Sequence, residues 1–244
     1  MKYVIDSPGS FPESLALDEA MLEELESCRQ ESPLLRFWTA ATYGAVLGYS
    51  NRVASEVDTD GLAAIDGAVY RRTSGGGTVL IGPGCLNYSL VLRSDHRSEY
   101  STVSGANRAV MAENAAAMEK LGRGPVSVRG HTDLVWRDRK FCGNAQRRKQ
   151  NAFLFHGSIL LSMDLEAIET ALQFPSKTPD YREDRSHLAF VINFNAQPQE
   201  VMDVLRAQWG SEEAVPEQDL ERWRVRASSL VQERYGLHAW RFKY

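Results

Sequence analysis

Apolar positions along the chain switch between a helical and an alternating period, and the switches mark out the elements. Leu15, Leu22 and Leu25 recur at helical spacing, with Ala16 and Ala20 beside them and acids between. That spacing predicts a helix over residues 12–28, with Ser10 as its cap and Pro12 in its first turn. Residues 34–38 and 45–48 are short apolar runs bounded by turn residues and read as strands. Residues 68–72 run into Ser74-Gly75-Gly76-Gly77, and residues 78–81 lead out. Leu86, Tyr88, Leu90 and Leu92 alternate with Asn87, Ser89 and Val91, the pattern of a half-buried strand. A helix is expected over residues 104–121, stopped by Gly122. Short strands follow at 126–128 and 134–136, and a longer one at 153–163. Asp164 then caps a helix bearing Leu165, Ile168 and Leu172. After about residue 197 the pattern is purely helical. Val201, Val204 and Leu205 mark one helix; Leu220, Trp223, Ala227 and Leu230 mark another, stopped by Gly236. The expectation is an α+β fold, with a core domain over residues 1–196 and a short helical extension over 197–244 packed on it.

Composition narrows the function classes. The 244 residues are 43% hydrophobic and 25% charged, ordinary values for a globular chain with a full core. A formal charge of −4 argues against general nucleic-acid binding. No apolar run reaches the ~18 residues of a membrane span, and the first residues do not read as a secretory signal. Cys28, Cys85 and Cys142 are widely spaced and odd in number, with no disulfide framework. The expected setting is therefore reduced and cytoplasmic.

Chemistry concentrates in a few places. In Arg71-Arg72-Thr73-Ser74-Gly75-Gly76-Gly77-Thr78, three glycines let the backbone approach a ligand closely, and two arginines offer forked donors for an anion. The same stretch also suits a glycine-rich hairpin with two solvated arginines. It is neither a P-loop nor a dinucleotide fingerprint. Lys140 opens a strand after the charged turn 137–139, and a regular strand would put Cys142 on its face. A nearby ammonium makes Cys142 the better nucleophile candidate of the cysteines, although packing is the favoured role for both it and Cys85. Arg147-Arg148-Lys149 reads as a solvated face or a docking patch for an acidic partner. His156 is a lone strand histidine. The scattered histidines form no metal motif, and no GxSxG elbow is present.

Three segments in order resemble the lipoate–protein ligase A family: RRTSGGGTVLIGPGCLNYSLVL at 71–92, GHTDLVWRDRKFCGNAQRR at 130–148 and FHGSILL at 155–161. LALDEAML and VLGYSN with Glu56 resemble its opening segments. The departures are His131-Thr132 for the usual Arg-Asn, Phe141-Cys142 for Ile-Ser, and Ile81-Gly82 for His-Asp. The resemblance implies mixed, mainly antiparallel sheets flanked by helices, the biotin/lipoate ligase catalytic-domain type. It implies that ATP, Mg²⁺ and lipoate give lipoyl-AMP, whose acyl group passes to a lysine of a lipoyl acceptor domain. By motif, Arg72, Gly77, Thr78, Val79, Leu80 and Lys140 would hold the adenylate, with Lys140 the catalytic charge. Asp133 would contact nucleotide or Mg²⁺, and Gly75, Gly76 and His156 would face the acyl chain. With room for about two helices after residue 197, activation either depends on a separate accessory subunit or is completed by those helices. Two rival readings stand beside this one. One is an ATP-independent octanoyl or lipoyl transferase working through a cysteine thioester. The other is a non-catalytic subunit that binds lipoate or adenylate.

Overall fold

The structure is a computed structural model that describes residues 1–6, 9–27, 32–175 and 177–244. Its frame is an eight-stranded sheet in the order β11-β1-β2-β6-β10-β9-β8-β7. The strands are β1 (Lys2–Asp6), β2 (Leu34–Trp38), β6 (Cys85–Arg93), β7 (Ser127–Arg129), β8 (Asp133–Trp136), β9 (Arg139–Arg148), β10 (Ala152–Leu160) and β11 (Glu213–Ala214). Among the described residues of this sheet only the β11–β1 and β1–β2 pairs are parallel. A second sheet of three strands, β4-β3-β5, comprises β3 (Gly44–Leu47), β4 (Ala68–Arg71) and β5 (Val79–Ile81). This is the mixed, mainly antiparallel α+β arrangement expected.

Alternation along the large sheet divides its side chains into two cores. On the front face, Cys85, Val91, Leu154 and Leu160 join α1 (Phe11–Ser27), the small sheet and α8 (Glu217–Leu230) in one cluster. On the back face, Leu86, Leu90, Phe153 and Phe155 join α4 (Val103–Glu119) and α7 (Pro198–Gln208) in the other. The helices after residue 197 thus close both cores. Short α-helices among the described residues are α2 (Val53–Glu56), α3 (Thr59–Ala64), α5 (Glu166–Ala171), α6 (His187–Phe190) and α9 (His238–Arg241).

Helix α1 starts as its sequence requires: Ser10 Oγ accepts from the Glu13 backbone N–H (3.4 Å). Its expected end at Cys28 lies outside the described residues. Strand β6 differs from expectation. It is buried on both faces except at Arg93, because its polar positions Asn87 and Ser89 face an internal cavity rather than solvent. Strands β1 and β11 were not expected; their short, weakly patterned sequences are held by pairing at the sheet edge.

Candidate active site

A cavity of about 840 Å³ opens between the front of the large sheet and the small sheet. Its apolar part is walled by Leu15, Trp38, Val46, Leu80 and Leu160, and its polar part by the glycine loop and the β8–β9 hairpin. Of the residues singled out from sequence, Arg72, Gly76, Gly77, Thr78, Val79, Leu80, Asp133, Lys140 and His156 all line it.

Arg72 lines the cavity, yet most of its donors are taken up by the protein itself, and Arg71 is turned away from the cavity. Arg72 donates from Nε to Ser74 Oγ (2.9 Å), from Nη1 to Val46 O (3.0 Å), and from Nη2 to Gly75 O and Gly77 O (2.7 Å each). Burial pulls its pKa down to about 10, so it stays charged at neutral pH. Arg71 likewise donates only to backbone carbonyls. The Arg72 contacts have a consequence for the loop. In a trans peptide the carbonyl of one residue and the N–H of the next point in opposite directions. Drawing the carbonyls of Gly75 and Gly77 onto the guanidinium therefore turns the N–H groups of Gly76 and Thr78 away from it. Gly76 makes the bend at φ +89°, a conformation that favours glycine. Arg72 thus fixes the shape of the loop and directs the Gly76 and Thr78 N–H groups away from its own guanidinium.

Lys140 is aimed by its hairpin. Arg137 and Asp138 make the turn with both φ values positive, 50° and 59°. Across the strands, Lys140 Nζ meets Asp133 Oδ1 at 2.8 Å. The amine lies over Gly143, where a Cβ would sit 2.7 Å from both Cε and Nζ. A bulge alters the register expected from sequence. Leu134 pairs with Cys142 but Val135 pairs with Lys140, so Phe141 is the extra residue. Lys140 and Cys142 therefore face opposite sides of the sheet, and Cys142 belongs to the back core. Asp133 has a further partner that the sequence did not indicate. Tyr181 Oη donates to its Oδ2 at 2.8 Å, and burial followed by the Asp133 charge raises the phenol pKa, keeping it a donor. Tyr181 sits in a polar irregular stretch without periodicity, so no sequence signal marks it.

His156 stands at the inner wall. Its Nε2 is 2.7 Å from Ser74 Oγ and its Nδ1 is 3.4 Å from Asp18 Oδ2. Those residue types match a hydrolase triad, but Ser74 is buried and already accepts from Arg72 Nε. The row therefore tethers the glycine loop to α1. Asp18 also accepts from Arg36 (2.6 Å) and Ser89 (2.7 Å). Burial alone would raise its carboxyl pKa, but the Arg36 charge and the His156 and Ser89 contacts hold it below 3.8. A depressed pKa contributes stability above 3.8 that is lost as pH falls through the folded-state value. Asp18→Asn is expected to destabilise the fold by about 3 kcal/mol near neutral pH, leaving buried Arg36 with Asp6 as its remaining carboxylate and the Ser14 carbonyl as a neutral acceptor. Urea unfolding should show the gap between variant and parent shrinking in acid; a gap independent of pH would contradict this.

The remaining candidates separate cleanly. Gly75 keeps its carbonyl on Arg72, and no atom lies within 4 Å of where a Cβ on it would stand, so the space beside it is open. Burial pushes the thiols of Cys85 and Cys142 up to about 12; Cys28 lies outside the described residues. The basic run at 147–149 is not one patch. Arg148 donates to Tyr100 O and lies over Phe153, and Lys149 pairs with Glu23 at 3.7 Å. Among the described residues, no group of three or more His, Cys, Asp and Glu side chains is placed to hold a metal. Among the same residues, no helix is long and apolar enough to cross a membrane.

Comparison with known proteins agrees with this arrangement. The family model for the lipoyl protein ligase A/B catalytic domain matches residues 10–208. The chain is 29% identical over 181 residues to lipoate-protein ligase A subunit 1 of Thermoplasma acidophilum, covering 71% of this chain and 67% of that protein. It is 28% identical over 212 residues to the octanoyltransferase LipM of Oceanobacillus iheyensis, covering 80% and 76%. Its fold matches a solved structure described as a bi-partite lipoate protein ligase and its E2 lipoyl domain from T. acidophilum. There the TM-score is 0.82 at 22% identity, over 99% of this chain and 95% of that one.

Proposed function

The chain belongs to the lipoyl protein ligase A/B catalytic domain family, and from that premise we propose that it is a lipoate–protein ligase. It activates lipoate with ATP to lipoyl-AMP and transfers the lipoyl group to a specific lysine of a lipoyl acceptor domain. The observation that carries the choice of ligase is the state of the two thiols among the described residues. Cys85 and Cys142 are buried, burial pushes their pKa values up to about 12, and the Cys142 side chain packs in the back core although the residue borders the cavity. A thioester route needs a thiolate poised near neutral pH; an acyl-adenylate route needs none.

The residues suit each step. The lipoate carboxylate attacks the α-phosphorus of ATP, a P–O bond forms, and the bond to pyrophosphate breaks. Backbone N–H groups of Gly76 and Thr78 face the phosphate charge, and Gly77, Val79 and Leu80 line the adenylate's path, with Arg72 holding the loop in shape. Lys140, released from Asp133, supplies positive charge to the α-phosphate and then to the oxyanion formed at the acyl carbon. The acceptor amine attacks that carbon, AMP leaves with the bonding pair of the anhydride oxygen, and the amine's proton is lost to solvent. The acyl chain lies along the apolar wall, with Gly75, Gly76 and His156 beside it. Asp133 is one carboxylate already shared by two donors, which suits Mg²⁺ arriving on the nucleotide phosphates rather than a resident ion.

Residues 1–196 as catalytic domain and 197–244 as its packed extension belong to the same proposal, supported by α7 and α8 closing the two cores. The acceptor domain is the partner; the relative named as a subunit supports a second, accessory protein. The octanoyltransferase relative favours the alternative of acyl transfer without ATP. The double variant Cys85→Ser, Cys142→Ser separates the two. It is expected to keep ATP-dependent lipoylation within about tenfold, the loss allowed for two altered packing sites. A stable acyl adduct on either cysteine, with turnover indifferent to ATP, would transfer the protein to the alternative class.

A further inference from the structure

We infer that residues 237–244 are part of the site's machinery: they brace the glycine loop from behind, and Arg71 is the positioning residue through which they act. The family match ends at residue 208, so this brace lies beyond the matched residues. Arg71 is 1% exposed. Its guanidinium spans two pieces of chain that are far apart in sequence. From one side it takes the carbonyls of Gly48 (3.0 Å), Tyr49 (3.2 Å) and Asn51 (2.7 Å). From the other it takes those of Trp240 and Arg241, at 3.1 Å each. Trp240 returns a bond, donating from Nε1 to Arg71 O at 2.9 Å.

A second contact pins the same two pieces together. Lys243 Nζ donates to Tyr49 Oη at 2.9 Å. It also lies over the rings of Tyr49, Trp240 and Tyr244, at 4.4, 5.5 and 5.0 Å from their centroids.

The turn at 48–51 passes this restraint to the loop. Tyr49 N donates to Ser74 O at 2.9 Å, and Asn51 Nδ2 to Thr78 Oγ1 at 3.2 Å. At Gly48 the two backbones touch directly, since a Cβ there would collide with Gly76 O. The path from the tail to the glycine loop is therefore continuous: Trp240 and Arg241, Arg71, the 48–51 turn, then Ser74, Gly76 and Thr78. Only a planar fork with five donors satisfies all the carbonyls at once; a lysine ammonium has three donors and no fixed plane. The shell around Arg71 holds carbonyls from both pieces, so loosening the tail frees donors that also hold the turn.

This inference rests on the proposed function only for the identity of the ligand. Its test uses the full chain with Arg71→Lys and, separately, Trp240→Phe. The second keeps a ring against Tyr49 and Tyr235 while losing the Nε1 donor. Amide hydrogen exchange is read in the ligand-free protein, and calorimetry reads lipoate and AMP. Exchange across residues 73–79 is expected to speed up about tenfold in Arg71→Lys, the scale of losing one hydrogen bond to a charged group, and about fivefold in Trp240→Phe, which loses a neutral hydrogen bond to the Arg71 carbonyl. Exchange in β6 and β10 should stay at the parent's rate, and AMP affinity should fall about tenfold. Unchanged loop exchange, or acceleration spread equally over the core strands, would overturn the brace. If the parent itself binds neither lipoate nor AMP, the proposed function fails, while the exchange result still decides whether the tail holds the loop.

Discussion

Replacing Lys140 by alanine is expected to slow acyl transfer by at least ~100-fold, the scale for removing one preorganised electrostatic donor. The fold should survive, because the side chain's partner is the single carboxylate of Asp133, which keeps Tyr181. The strand position is held independently, by Ile192 N donating to Lys140 O at 2.9 Å. The loss should therefore appear in chemistry rather than in folding or in apolar binding of the acyl chain. Both partial reactions are expected to suffer: pyrophosphate release from ATP and lipoate, and transfer from preformed lipoyl-AMP. Near-normal transfer by a folded Lys140→Ala protein would remove Lys140 from the catalytic role.

Gly77→Val is expected to abolish tight binding of lipoyl-AMP while leaving stability close to the parent. Gly77 lines the cavity, and no atom lies within 4 Å of where its Cβ would stand. Its φ lies outside the positive range that L residues avoid, so a Cβ there meets no protein atom and no positive-φ strain. The space it would fill is the space a ligand needs. Overpacking of about 1–3 kcal/mol corresponds to a loss of affinity of about 5- to 150-fold. Gly76→Val is the less informative change, because φ +89° and the Arg72 Nη2 contact at 3.1 Å would strain the loop itself. Calorimetry with a non-hydrolysable acyl-adenylate analogue, paired with thermal unfolding, checks the prediction. Unchanged affinity would place the ligand elsewhere.

Much of this architecture was legible in the sequence because it depends on local pattern. The helical spacing of Leu15, Leu22 and Leu25 located α1, and the alternating strand at 86–92 located β6. The glycine run and Lys140 marked two walls of one cavity. What escaped depends on contacts between distant segments. The alternation in β6 is real, but its polar side looks into a cavity, and period alone does not distinguish a cavity from solvent. The bulge at Phe141 reversed the face of Cys142, because a single inserted residue inverts every later position in a strand. Arg71 and Arg72 have the charge of an anion site, yet most of their donors are taken up by carbonyls that only the folded chain brings to them. Tyr181 reaches Asp133 from an irregular segment 48 positions away, and nothing in its neighbours' periodicity announces it.

The proposed reaction makes an acyl adenylate in the cavity between the glycine loop and Lys140. The most direct measurement incubates the purified chain with ATP, Mg²⁺ and lipoate, and follows pyrophosphate and lipoyl-AMP before any acceptor is added. Lipoyl-AMP and pyrophosphate should appear together, and a lipoyl acceptor domain added afterwards should gain the mass of one lipoyl group as AMP is released. Acceptor acylation from a thioester donor in the absence of ATP, with no lipoyl-AMP formed when ATP is present, would contradict the account.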